Sequence, residues 1–137
     1  MAKRTGLAFT TLSVDDAAGT PRDIRNDITS FNFATPRGVQ DVTGIDKSAM
    51  ERLLLLADFS ITLNGVANDT GTGATSHAVL KTVPSTSVLR TVSLAISTNT
   101  LACEVLFTDY ALSRSQGGEL TWTSPGVLAD GTVPTWS

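Results

Sequence analysis

The sequence predicts a mainly β protein, a small antiparallel β-sandwich or open barrel with one or two short helices. Three observations predict it. Threonine and serine are abundant, and β-branched residues come in short runs instead of long helical stripes. The 11 glycines and 5 prolines are scattered along the chain and punctuate those runs. Several runs alternate apolar and polar residues with a period of two, the signature of a half-buried strand. At 137 residues the chain fits one domain, residues 1–137, around one core. A hydrophobic fraction of 41% against 17% charged residues places it among globular proteins.

The elements follow in order. Gly6 to Val14 predicts a first strand, after a polar arm over residues 1–6. Asp15-Asp16-Ala17-Ala18-Gly19-Thr20-Pro21 supplies acceptor side chains, a permissive Gly and a ladder-breaking Pro, hence a loop. Thr29 to Ala34 alternates and directs Phe31 and Phe33 to the core, until Pro36-Arg37-Gly38 ends the run. Residues 35–45 then read as a loop between apolar segments. Ser48-Ala49-Met50-Glu51 has the spacing of a capping box and predicts a helix with Met50, Leu53, Leu54 and Ala57 on one face. Leu53 to Leu56 spread apolar surface beyond that face, so the helix is either covered on two sides or meets another subunit; burial within the domain is the favoured reading.

Phe59 to Gly65 alternates cleanly and is the most secure strand. A polar stretch, Asn68 to Thr75, leads to Ser76-His77-Ala78-Val79-Leu80-Lys81, one or two helical turns with Ser76 as the cap. Val88, Arg90, Val92, Leu94 and Ile96 share one strand phase. Ser97-Thr98-Asn99-Thr100 then offers a hairpin turn into Leu101, Cys103, Val105 and Phe107. Ala102, Leu106, Tyr110 and Leu112 make the other face partly apolar too. Glu119 to Ser124 forms the last long strand, ended by Pro125-Gly126.

The chemistry-bearing residues are few. A net charge of -3 and no basic stripe argue against phosphate-neutralising nucleic-acid binding. The apolar stretch after the basic start is too short for a signal peptide, and no run approaches a membrane span. Cys103 has no cysteine to pair with and reads as a buried small hydrophobe. His77, the only histidine, reads as a solvated residue near a helix start, so no nucleophile finds a base and no metal or cofactor set exists. Asp69-Thr70-Gly71 is the triplet of aspartic proteases, but Asn68 and Thr72-Gly73 give it a polar context where those enzymes have an apolar strand. Asp15-Asp16 and the pair Asp46 and Glu51 are explained by a turn and a cap. The reading is non-enzymatic.

Strands apolar on both faces, with uncharged polar surfaces, point to self-assembly, because a monomer with such faces risks edge-to-edge association. The order of several segments then resembles the major tail tube proteins of siphophages over nearly the whole chain. They are Asp15 to Ile24, Asp41-Val42-Thr43-Gly44-Ile45-Asp46-Lys47-Ser48-Ala49-Met50-Glu51-Arg52, Phe59 to Asn64, Ser76 to Lys81, Gln116 to Trp122, and Leu128 to Trp136. The resemblance implies a β-sandwich of the phage tail tube type, with subunits in hexameric rings stacked into a tube. Through it DNA passes without specific binding. It also implies other phage tail proteins as partners, assembly in the host bacterial cytoplasm, and residence in the virion.

Three regions are expected at subunit contacts. These are the arm at Ala2, Lys3 and Arg4; the 35–45 loop with Pro36, Arg37, Val39 and Val42; and Trp136, for which folding back on its own domain is an equal alternative. Glu104 and Glu119 are candidate acidic residues of the lumen, where carboxylates repel phosphate. Two other readings remain open: a head-tail connector or tail terminator ring, and a monomeric β-sandwich that binds a ligand.

Overall fold

The computed structural model describes residues 3–70 and 73–137. Among these, the protein is mainly β, with one short α-helix. The strands are β1 (Phe9–Asp15), β2 (Pro21–Asp23), β3 (Ile28–Ala34), β4 (Arg37–Asp41), β5 (Arg52–Ala57) and β6 (Ser60–Val66). The helix α1 (Ser76–Leu80) follows, then β7 (Arg90–Ile96), β8 (Asn99–Phe107), β9 (Ala111–Arg114), β10 (Leu120–Leu128) and β11 (Thr135–Trp136). Short 3-10 turns at Gly6–Ala8 and Arg25–Asp27 precede β1 and β3.

One nine-stranded antiparallel sheet runs in the order β2-β1-β7-β8-β10-β6-β3, with β11 added to β8 and β9 added to β10. It curls until Phe9 of β1 meets Phe31 of β3 edge-on, with ring centroids 4.9 Å apart. No ladder joins β1 to β3 among the described residues, so the curl is an open barrel and not a closed one.

Alternation sets the inside of this curl. Leu12, Val14, Val92, Leu94, Leu101, Val105, Ile61, Leu63 and Trp122 are all buried, each on the inward phase of its strand. Burying such a side chain stabilises by roughly 1.5–3 kcal/mol. The helix lays Val79 and Leu80 on the same core. The hairpin expected at residues 97–100 forms with Ile96 paired to Asn99, and Ser97 takes the left-handed conformation (φ 56°) that the tight turn requires.

Arg90 shares the inward phase of β7 and is only 2% exposed. Its guanidinium donates to the carbonyls of Asp15 and Val79 and to Thr82 Oγ1, each at 2.9 Å. Burial pushes its pKa down, opposed by the nearby carboxylates of Asp16 and Asp15. A charge buried without donor-by-donor satisfaction would be costly, so this residue ties helix, β1 loop and sheet into one arrangement.

Three expectations need correction. The helix predicted from Ser48 does not form. Leu53 and Leu54 lie in β5 and pair with Gln40 and Val39 of β4, while the Glu51 amide donates to Thr43 Oγ1 at 2.8 Å instead of serving a capping box. A continuous apolar run has no period of its own, so pairing partners decide between helix and strand. Burial of these leucines within the domain also fails: all four are exposed, Leu56 to 91%. Nor does Pro125-Gly126 end its strand. β10 continues to Leu128 because Pro125 sits where its neighbour changes from β9 (last pair Thr123 with Ala111) to β8 (first pair Gly126 with Phe107). No ladder bond is asked of the missing N–H there. Gly126 itself must be Gly, since a Cβ would lie 2.6 Å from Val105 Cγ1.

Candidate functional site

Among the described residues, the chemistry-bearing side chains Cys103 and His77 lie apart from one another. Cys103 is half-buried against the core, and burial, with help from Asp130 and Glu104, pushes its thiol up to about 11, which leaves it protonated and inert. His77 is half-buried, not solvated, and its Nδ1 lies 3.1 Å from Tyr110 Oη. Burial raises the Tyr110 pKa, with Asp27 adding to it. In the protease-like triplet, Asp69 and Thr70 are exposed, and Gly71 and Thr72 lie outside the described residues. Asp27 is instead a structural carboxylate: it accepts the Ser76 amide at 2.8 Å and Asn68 Nδ2 at 2.9 Å, holding the start of α1 against β3. Thr75 takes the N-cap position expected of Ser76, so the capping oxygen comes from a residue remote in sequence. Among the described residues, no cluster of metal-ligating side chains exists.

What the molecule offers is surface. The first surface is an arm. β4 and β5 form a separate two-stranded sheet, and every residue from Ala34 to Leu56 is exposed except the half-buried Thr43. Its base is tied by Arg37, whose Nε and Nη2 donate to the Leu55 carbonyl, and by the Asp58 amide to the Pro36 carbonyl. Near the tip, the Asp41 carboxylate accepts Thr43 Oγ1 at 2.6 Å and the Thr43 amide at 3.0 Å, which holds its pKa below the usual value. Val39 and Leu54 pair on one face, and Leu53 and Leu55 occupy the other. A lone two-stranded ribbon with apolar residues on both sides is marginal in water.

The second surface is the seam. Among the described residues β3 pairs only with β6, and its outer edge faces β1 across an open cleft of about 920 Å³. Leu7, Phe9, Leu12, Ile28 and Phe31 supply apolar walls. Arg25 spans the rim, paired with Asp23 at 3.0 Å and donating to the Phe9 carbonyl at 3.2 Å. Leu7 stands 90% exposed at the edge.

The third surface is the outer phase of β3, β6, β10, β8 and β7. It presents Asn32, Thr62, Asn64, Thr123, Ser93 and Thr91 together with the exposed apolar residues Val66, Leu106 and Val127, with Glu104 as its ionisable group. Thr123 Oγ1 donates to Asn64 Oδ1 at 2.9 Å, and Thr91 Oγ1 donates to Glu104. No lysine or arginine occupies the outward positions of these five strands.

Of the residues singled out from the sequence, Pro36, Arg37, Val39 and Val42 therefore lie together on the arm, where residues 37–41 are strand and not loop. Lys3 and Arg4 are exposed ahead of the Gly6–Ala8 turn, and Ala2 lies outside the described residues. Trp136 folds back onto its own domain, pairing with Leu101 through β11 and packing 6.2 Å from Phe33, yet keeps 43% exposure. Glu104 sits on the outer face, whereas Glu119 lies in the exposed turn before β10, its pKa lowered by the Ser115 hydroxyl. Sequence reasoning missed the seam and misjudged the arm's form, although the Leu53–Leu56 run was its visible trace.

No protein-family model matches the sequence, and no curated protein matches it. Solved structures do. The chain is similar to a chain in the virion of a native gene transfer agent particle, with TM-score 0.74 and 14% identity, covering 98% of this chain and 99% of that one. It is also similar to a chain in the tail of an empty gene transfer agent particle, refined helically with C6 symmetry, with TM-score 0.72 and 17% identity over 98% of each. At these identities the likeness is one of fold, and it runs from end to end.

Proposed function

We propose that this protein is a structural virion protein, the major tail tube subunit of a long-tailed bacteriophage or a phage-like particle. Its copies form hexameric rings that stack into a hollow tube, in company with other tail proteins. The observation that carries this reading is the end-to-end fold shared with a chain of a C6-symmetric helical tail. The surfaces support it. The outer phase of β3, β6, β10, β8 and β7 lines the channel, where hydroxyl, amide and apolar groups with a carboxylate at Glu104 offer phosphate no cation to hold. DNA then slides through without binding. Lys3, Arg4 and the arm residues Val39 and Val42 meet neighbouring subunits, and the exposed part of Trp136 adds to a contact.

Negative-stain electron microscopy of the purified protein over a concentration series, beside light scattering, tests the proposal. Long hollow tubes are the expected result. Single rings that never stack would replace the reading with a connector or terminator ring. A monomer at every concentration would overturn it in favour of a binding module.

A further inference from the structure

We propose that the seam between β1 and β3 receives the arm of a second copy of this chain, so that each subunit's arm closes the open barrel of another. The proposal rests on the tube reading above and deepens it by naming which two surfaces meet. The arm is apolar and exposed, and the seam is an open cleft whose half-buried apolar floor at Phe9, Ile28 and Phe31 is rimmed by polar Asn26, Thr29 and Ser30; the two are different parts of the same chain. A contact between unlike patches is heterologous: it leaves a free arm and a free seam on every pair, so it propagates into rings or filaments. An arm-to-arm contact would be self-satisfying and stop at a dimer.

Four features fit the arm to the seam. The cleft of about 920 Å³ is large enough for several side chains, and its walls at Phe9, Leu12, Ile28 and Phe31 are apolar. Among the described residues β3 pairs with β6 alone, so an extended strand laid along its other edge meets backbone donors and acceptors as well as those walls. β5 is such a strand, and after Arg52 it runs Leu53 to Ala57 without a charge, so its insertion buries no unpaired ion. Finally, the stretch exposed from Ala34 to Leu56 is comparable in size with one side of a standard interface, roughly 20–30 residues.

The test uses two full-length variants that each spoil one half of the contact. Thr29→Arg places a cation at an exposed position in the seam, and Leu54→Arg places one on the arm. Circular dichroism and thermal melting are read first; Leu7→Glu, at a 90% exposed site, replaces Thr29→Arg if that variant does not fold. Each variant alone is expected to form no tubes by electron microscopy, while an equimolar mixture gives a discrete heterodimer by light scattering, because one intact arm then meets one intact seam. A seam variant that assembles like the unmodified protein, or two folded variants that stay monomeric when mixed, would overturn the proposal and leave the tube reading standing. If the unmodified protein forms neither rings nor tubes, the tube reading fails and this proposal fails with it.

Discussion

The curled sheet and the arm use the same kinds of residue to opposite ends. In the sheet, Leu12, Leu63, Leu94 and Leu101 are inward and almost fully hidden, each opposite a strand neighbour of the same phase. In the arm, Leu53 to Leu56 have the same chemistry and the same extended backbone but lie in water on both faces. A leucine is thus a core residue only where the strand around it has a second layer to pack against. The sheet makes that layer by curling on itself; the arm, with two strands, cannot. The same apolar surface that stabilises the sheet is left exposed to solvent on the arm.

The largest way to break this contrast is to hollow the sheet. Trp122 is 1% exposed, packs against Tyr110 and donates Nε1–H to the Val66 carbonyl at 3.1 Å. Trp122→Ala is expected to cost about 3–5 kcal/mol, measured by urea denaturation, with assembly lost as a consequence of unfolding. Next comes Arg90→Met, which keeps the apolar stem but orphans the Asp15 and Val79 carbonyls. A loss on the order of 2–3 kcal/mol is expected by the same measurement; no loss would mean that the carbonyls find water instead.

The smallest effect on folding belongs to the arm. Leu54→Ser at a 60% exposed position is expected to shift the stability of the isolated subunit by less than about 0.5 kcal/mol. The same change is expected to raise sharply the protein concentration needed for tubes, read by light scattering. A loss of subunit stability comparable to that of the core variants would erase the distinction between the two regions.

Acid offers no equally clean separation, because the shifted carboxylates are distributed between body and arm. Asp16, lowered chiefly by its hydrogen bond from the Thr20 amide, and Asp41, lowered by Thr43, both have depressed folded pKa values. Their contributions are present above the unfolded carboxylate range and fade as pH falls through it, below about 4.

Much of the sheet was legible in the residues. Period-two alternation identified the strands around Phe31, Ile61, Val92, Val105 and Trp122, and put Arg90 on the inward phase before any partner for it was known. The inert character of Cys103 followed from its phase as well. His77 was misjudged because its partner, Tyr110, comes from a distant segment. The helix expected at Ser48 failed for the same class of reason: its capping-box spacing was real, but Thr43 and β4 competed for the same backbone groups. Pro125 looked like a strand end because sequence does not show which neighbour stands beside it.

By itself the sequence determined the β class, the phase of most core residues and the presence of apolar surface in excess of one small core. These are local or compositional properties, set by side-chain alternation and residue chemistry over a few positions. Only the tertiary structure decided that the four leucines form an exposed strand, that β1 and β3 approach without pairing, and that the outer phase of five strands carries no cation. Each of those depends on which distant segments become neighbours, and that choice is made by the packing of the whole chain.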